Sequence, residues 1–263
     1  PYTTAMSDNS TTPTRQPAAR RDLSQGFNNY FRIDRVEAGP LLDEVFHVRH
    51  EVYCEDLGFE PERPDRREVD PYDAHSVHCL LRGAAAPHTR VGCTRIVLTD
   101  PADPYAPLPF ERSCAETLDR SIVDPAKLPR GSIAEISRLA VRAQFRRRKG
   151  EEHTAVAIQD EDFAAFGAQQ RFPFIPTSLL LGAVALAEHN QVETIFVLTE
   201  PRLAAHFSHL GVEVRQIGAP ISHRGTRVPS VMHIEEIIRN MRSLIRPLWE
   251  IVRQQIREGS GPA

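Results

Sequence analysis

The segment Ser132 to Val141 reads Ser-Ile-Ala-Glu-Ile-Ser-Arg-Leu-Ala-Val, an apolar run with one acid and one base set inside it. Its length, the preceding Gly131 and its branched residues favour a strand over a buried helix, a choice that periodicity alone does not make for so short a run. Successive side chains of a strand point to opposite faces. Regular alternation would therefore put Glu135, Ser137 and Leu139 on one face and Ile136, Arg138 and Ala140 on the other. Glu135 and Arg138 would face apart. A bulge between them would re-aim one side chain onto its partner's side and leave backbone N–H and C=O groups unpaired, a device common beside active sites. Taken by itself the strand fits solvated or structurally paired charges as well as it fits chemistry, so the choice falls to the rest of the chain.

At 263 residues the chain can bury a full core as one large domain or two small ones. A formal net charge of -3 argues against general affinity for nucleic acid. Cys54, Cys79, Cys93 and Cys114 are scattered, with no C-x-x-C pair to suggest a zinc site or a redox motif, which fits a reducing compartment. No apolar run approaches the ~18 residues of a membrane span, and the N-terminus lacks the apolar core of a signal peptide. The expectation is a cytoplasmic protein. Residues 1 to 5 read as a leftover ahead of a natural start at Met6, and residues 1 to 26, rich in Ser, Thr, Pro and Arg without apolar periodicity, as a disordered tail.

A folded domain is expected over residues 27 to 233. Phe31 to Val36 alternates like a half-buried strand. A helix opens at Pro40 and runs through Cys54, with Gly58 after its end. Pro61 to Tyr72 is a charged, proline-rich loop, with Asp70 near its end and Asp73 just beyond. Val77 to Leu81 and Val91 to Leu98 read as an antiparallel pair, the second carrying Arg95 inside it. Asp100 to Arg130 reads as an irregular excursion with a weak helical segment around Cys114 to Arg120. Further on come a loosely helical Thr154 to Ala168, a firmer helix Pro176 to Asn190 and an apolar, central strand Thr194 to Leu198. A helix Pro201 to Leu210 stops at Gly211, and strands follow at Val212 to Ile217 and Val228 to Ile234. Residues 234 to 263 form a helical extension whose apolar stripe, Ile234 to Ile256, is that of an amphipathic helix that Pro247 should kink or split.

The chain has no Walker loop, no G-x-G-x-x-G after a strand, no H-E-x-x-H and no G-x-S-x-G elbow, which argues against phosphoryl transfer, dinucleotide chemistry, zinc proteolysis and serine hydrolysis. What remains is a set of charged residues at strand ends and after the first long helix: Arg49, Asp70, Asp73, Arg95, Glu135 and Arg138. The stretches that hold them are Val48-Arg-His-Glu-Val-Tyr-Cys-Glu-Asp-Leu-Gly-Phe, Asp70-Pro-Tyr-Asp, Gly92-Cys-Thr-Arg and Glu135-Ile-Ser-Arg-Leu-Ala-Val. In this order they resemble the acyl-homoserine-lactone synthases and the N-acyl amino acid synthases, which share the fold of the GCN5-related N-acetyltransferases (GNAT). The likeness is greatest to the acyltransferases associated with exosortase and PEP-CTERM protein-sorting systems.

The resemblance implies an α/β (α+β) GNAT-like acyl-CoA N-acyltransferase fold, with a central mixed, mostly antiparallel sheet flanked by helices, plus the C-terminal amphipathic helix. It implies an enzyme that moves a medium- or long-chain acyl group from an acyl carrier protein thioester, or from acyl-CoA, to the amine of an amino acid or similar small acceptor. No tightly bound cofactor, metal or nucleic acid is implied. Glu135, Ser137 and Arg138 fall on the catalytic segment, with Glu135 as base. Arg49, Tyr53, Phe59, Asp70, Asp73 and Arg95 fall on substrate-binding positions, Arg49 and Arg95 either holding an acceptor carboxylate or orienting Asp70 and Asp73. The basic run Arg142, Arg146, Arg147, Arg148 and Lys149 would dock the carrier protein, and Leu179 to Leu186 would line an acyl tunnel or simply pack in the core. Tyr53 and Phe59 stand where the lactone synthases usually have phenylalanine and tryptophan. The Gln/Arg-x-x-Gly-x-Gly/Ala loop that holds coenzyme A pyrophosphate in ordinary acetyltransferases is also missing. The first departure, together with the chain's greater length and extra tail helix, weakens any expectation that the acceptor is S-adenosylmethionine or the product a lactone. A coenzyme A dependent N-acetyltransferase and a non-catalytic acyl-binding module are the alternatives.

Overall fold

The computed structural model describes residues 23–146 and 174–259. One mixed sheet organises them. Its strands are β1 (Phe31–Val36), β2 (Ser76–Gly83), β3 (Arg90–Leu98), β4 (Ile133–Val141), β5 (Thr194–Thr199), β6 (Arg215–Gln216), β7 (Ile221–Ser222) and β8 (Thr226–His233). The order is β1-β2-β3-β4-β5-β8-β6, with β7 also on β8, and every neighbouring pair is antiparallel except β4 and β5. Central strands buried on both faces read as continuous apolar runs, which is why β3, β4 and β5 were legible as strands while the exposed two-residue β6 is only a remnant of the expected strand Val212 to Ile217.

Helix α2 (Pro40–His50) covers one face of the sheet. It does not stop at Cys54 but continues as a π-helical turn, Glu51–Asp56. On the other face lies α4 (Phe174–His189), buried almost throughout, with α1 (Leu23–Tyr30), α5 (Pro201–His209), α6 (Ile234–Asn240) and α7 (Arg246–Glu258) packed around it. The expected amphipathic stripe is therefore two helices. The chain leaves helical geometry at Met241, and Pro247 occupies the first turn of α7, where its missing N–H costs nothing. Gln255 of α7 accepts a hydrogen bond from the Ile33 N–H of edge strand β1 at 2.9 Å, so this helix also blocks an edge that would otherwise be open to pairing.

Two expectations need correction. Residues 23 to 26 belong to α1 rather than to the tail; its polar sequence hid a single anchor, Phe27, fully buried against Phe31 and Phe174. The helix of the excursion is α3 (Pro109–Ser113), not Cys114 to Arg120. Pro109 starts it, and the Glu111 carboxylate accepts from the Leu108 N–H at 2.8 Å and from Arg130 at 3.0 Å, closing its first turn. The loosely helical Thr154 to Ala168 lies outside the described residues. Among those described, no helix is long and apolar enough to cross a membrane.

Gly92 sits where β3 presses closest on β4. A Cβ there would lie 2.5 Å from the Ala140 carbonyl oxygen and 3.0 Å from Leu179. Gly92→Ala is expected to destabilise the protein by about 1–3 kcal/mol, read as a lower denaturant midpoint; an unchanged midpoint would show that the two strands can part without cost.

Candidate active site

The site is built around an irregularity in β4. Arg95 pairs with Ser137 and Cys93 with Ala140, so β4 has two residues, Arg138 and Leu139, where β3 has only Thr94. Arg138 adopts φ 53°. The bulge thus lies at Arg138 itself, just beyond the Glu135–Arg138 interval in which it was expected, and it has the expected consequence. Arg138 swings to the face of Glu135 and Ser137, and Ala140 follows onto that face to pack with α2. Tyr53, carried by the π-helical turn, holds the bulge: its hydroxyl donates to the Leu139 carbonyl at 3.0 Å and its ring lies 5.5 Å from the Arg138 guanidinium. Burial pushes the Tyr53 hydroxyl up to about 12, so it stays a donor.

Behind the bulge six charged side chains form one network. Arg49 is 0% exposed and donates to Glu68 at 2.5 Å and to both oxygens of Asp73 at 2.6 and 3.1 Å. Arg95 donates to Asp70 at 2.8 and 2.7 Å, to Asp73 at 2.5 Å and to the Ser137 hydroxyl at 2.9 Å. Arg138 donates to Glu68 at 3.1 and 3.0 Å and to Asp70 at 3.0 Å. Asp70 and Asp73 also close a capping box on the 3-10 turn Pro71–His75, which fixes both carboxylates to the backbone. Burial alone would raise the carboxyl groups of Glu68, Asp70 and Asp73, but the guanidinium groups more than offset it and hold all three below the usual carboxylate range. Burial and the Arg49 charge pull neighbouring His78 down to about 3, and it is neutral.

Glu135 is the exception. It is 4% exposed and accepts the Phe110 N–H at 2.7 Å, but no ion pair reaches it among the described residues. Burial pushes its carboxyl up to about 8, against the opposing pull of the Phe110 N–H and of Arg95 and Arg138 nearby. Stacked rings of Phe110 and Phe196, with centroids 4.5 Å apart, pack on the same face of the sheet.

β4 and β5 pair only from Ile133 to Ile136 and from Thr194 to Val197, and then part. A cavity of about 410 Å³ fills the gap. Its polar half is lined by Tyr53, Asp70, Arg95, Glu135, Ser137 and Arg138, and its apolar half by Ile136, Leu180, Val197, Leu203 and Phe207, which belong to or pack on the core around α4. Phe59 also reaches it; of the run Leu179 to Leu186, Leu180 does so while its neighbours pack in the core.

Most of the sequence-derived residues therefore converge on the cavity or on the network behind it. Arg49 and Asp73 lie behind the cavity and support its wall, Arg49 holding Asp73 and Glu68, which is one of the two roles expected for it. Arg142 and Arg146 are bound to the protein's own acids: Arg142 to Glu51 at 2.9 Å, and Arg146 to Asp56. Arg147, Arg148 and Lys149 lie outside the described residues. Sequence reasoning missed Glu68, one acid in a loop crowded with charges, whose role appears only when Arg49 and Arg138 meet over it. It also missed the Phe110 N–H and the arginines of the cavity rim, Arg112, Arg202, Arg224 and Arg227.

A mixed sheet with one parallel pair that parts beside a bulge is the arrangement of the GNAT acyltransferases, and a family model described as an acetyltransferase (GNAT) domain matches residues 48–155. Several solved structures share the fold. TofI, in a ternary complex with an inhibitor and MTA, superposes with a TM-score of 0.54 at 21% identity, covering 79% of this chain and 96% of that one. BjaI, a CoA-dependent acyl-homoserine lactone synthase solved with SAM and isopentyl-CoA, gives 0.52 at 18% identity, covering 89% and 95%. The AHL synthase LasI gives 0.51 at 20% identity, covering 78% and 89%. No curated protein matches the chain.

Proposed function

We propose that the protein is an N-acyltransferase that moves a medium- or long-chain acyl group from a thioester donor to the amine of an amino acid or similar small acceptor. The observation that carries this reading is Glu135, a carboxyl without an ion-pair partner among the described residues, buried in the wall of the cavity beside the bulge, where burial pushes its pKa up to about 8. As its carboxylate, such a group can accept a proton from an attacking amine that has already lost its ammonium proton to solvent. The acyl chain would occupy the apolar half and the acceptor the polar half. The amine nitrogen attacks the thioester carbon; the carbonyl oxygen gathers charge beside backbone N–H groups of Ser137 to Leu139, on the edge of β4 that β5 has left; the C–S bond then breaks. Glu135 takes the proton from the amine and returns it to the departing thiolate. Ser137, held by Arg95, and Arg138, held by Glu68 and Asp70, position the bulge.

The likeness to acyltransferases of exosortase and PEP-CTERM systems fits this reaction class. Mass spectrometry of lipid extracts from a bacterial host expressing the intact protein should show new N-acyl amino acids that vanish with Glu135→Gln; extracts identical to those of the empty host would refute the reading.

The donor is proposed to arrive on acyl carrier protein, an acidic protein that the basic run 142–149 would meet. Arg142 and Arg146 are anchored by Glu51 and Asp56, so Arg147, Arg148 and Lys149 carry the test. Changing all three to glutamine should raise KM for acyl carrier protein substrates roughly 10-fold at low salt, with the difference shrinking as salt screens it, and leave acyl-CoA kinetics unchanged. An equal effect on both donors would remove the docking role.

A further inference from the structure

The cavity holds more arginine than its own acids hold firmly. Arg95 and Arg138 are locked by carboxylates that are themselves buried or tied to backbone. Arg227 pairs with Glu200 and its guanidinium donates to the Arg224 carbonyl at 3.1 Å. Arg224 differs. It stands in the turn between β7 and β8 at φ 53°, beside Gly225 at φ 96°, a left-handed conformation that is unfavourable for arginine. Its side chain is 23% exposed and lines the cavity. Its acidic partner is Glu60, a loop side chain 25% exposed that also lies 3.8 Å from Arg138. Burial, with Arg227 nearby, lowers the Arg224 pKa from its ordinary value.

We infer that Arg224 is the residue that selects the acceptor by its carboxylate, which displaces Glu60 from the space between Arg224 and Arg138. The inference rests on the acyltransferase reading and deepens it: the acceptor is an amine that carries a carboxylate, and Glu60 is a built-in stand-in for it. Arg49 and Arg95 are unsuited to this role because both are buried and each holds two acids of the network, which would be left one guanidinium short if either turned to a substrate. A carboxylate arriving at Arg224 strands nothing, since Glu60 can turn to solvent. The turn also lies beside Tyr53 and Arg138, on the polar half where the amine must meet Glu135.

The test uses the full chain and two probes of matched size, N-octanoylglycine and its primary amide. Calorimetry should show the intact protein binding the carboxylate roughly 10- to 100-fold more tightly than the amide. Arg224→Gly, which relieves the left-handed backbone and so should not unfold the turn, is expected to abolish that preference, while Glu60→Gln should widen it by removing the competitor. A preference that survives Arg224→Gly, no preference in the intact protein, or no measurable binding of either probe would each overturn the proposal. Thiol release from octanoyl-CoA separates the two levels. Release that is equally fast with an amino acid and with its amide overturns the Arg224 assignment and leaves the acyltransferase. No release with any amine, alongside a carboxylate preference that Arg224→Gly removes, leaves the anion site and sinks the acyltransferase.

Discussion

Glu135→Gln is expected to lower kcat/KM for acyl transfer roughly 10²- to 10⁴-fold, the range for losing a positioned general base, while leaving the fold intact. Below about pH 8 the native carboxyl is mostly protonated, so glutamine is a near-isosteric replacement for the form that folding prefers, and its amide oxygen can still accept the Phe110 N–H. The sign of the pH dependence follows from the raised value. The base is the carboxylate, whose fraction grows as pH rises through about 8, so the rate should climb with pH and level off above that point. The same shift works against stability: neutral Glu135 is tolerated in its buried site, and the stability associated with the proton is lost as pH rises through about 8. Initial rates of thiol release across the pH range, for the intact protein and the variant, decide the matter. A variant that keeps the rate, or one that keeps the inflection near 8, would show that the proton goes elsewhere.

Arg49→Ala should produce the largest loss of stability. It removes the guanidinium that joins Glu68 to Asp73 and leaves the buried network one positive charge short, with Glu68 held only by Arg138 and Asp73 only by Arg95, a change that costs up to about 3–5 kcal/mol, the range for a broken buried pair, and lowers Tm by on the order of 10 °C in a domain of this size. The network also predicts acid lability. Glu68, Asp70 and Asp73 all have depressed values in the folded state, so their contribution is present above the unfolded carboxyl value of about 4 and is lost as pH falls through the lower folded values. Calorimetric scans of both proteins at pH 7 and at progressively lower pH would measure this. If Arg49→Ala instead kept its Tm and raised KM for the acceptor, the residue would be a substrate ligand, the other of the two roles that the resemblance implied.

Arg49 shows where sequence legibility ends. Its place on the first long helix, and that of Asp70 and Asp73 at the end of a charged loop, drew notice through the resemblance to the lactone synthases rather than through periodicity. Whether those groups faced a substrate or one another depended on the loop that folds Glu68 over the helix, and no periodicity encodes that. The buried strands and α4 were readable because continuous apolar runs must be covered on both faces. α1 was not, because its apolar residues, Leu23, Phe27 and Tyr30, span only two turns of an otherwise polar segment that adjoins the Ser-, Pro- and Arg-rich N-terminus.

By itself the chain determined the apolar strands β3, β4 and β5, the acid and base placed in β4, and the expectation that a bulge would reunite them, since a period of two admits no other way to bring positions 135 and 138 to one face. Tertiary structure decided the rest. It put the bulge at Arg138, under the Tyr53 hydroxyl. It separated β4 from β5 to make the cavity. Among the described residues, it left Glu135 without a counter-ion while Glu68, Asp70 and Asp73 received theirs. Those outcomes depend on which groups meet across the sheet, and burial and pairing, unlike periodicity, are set only when distant segments close on each other.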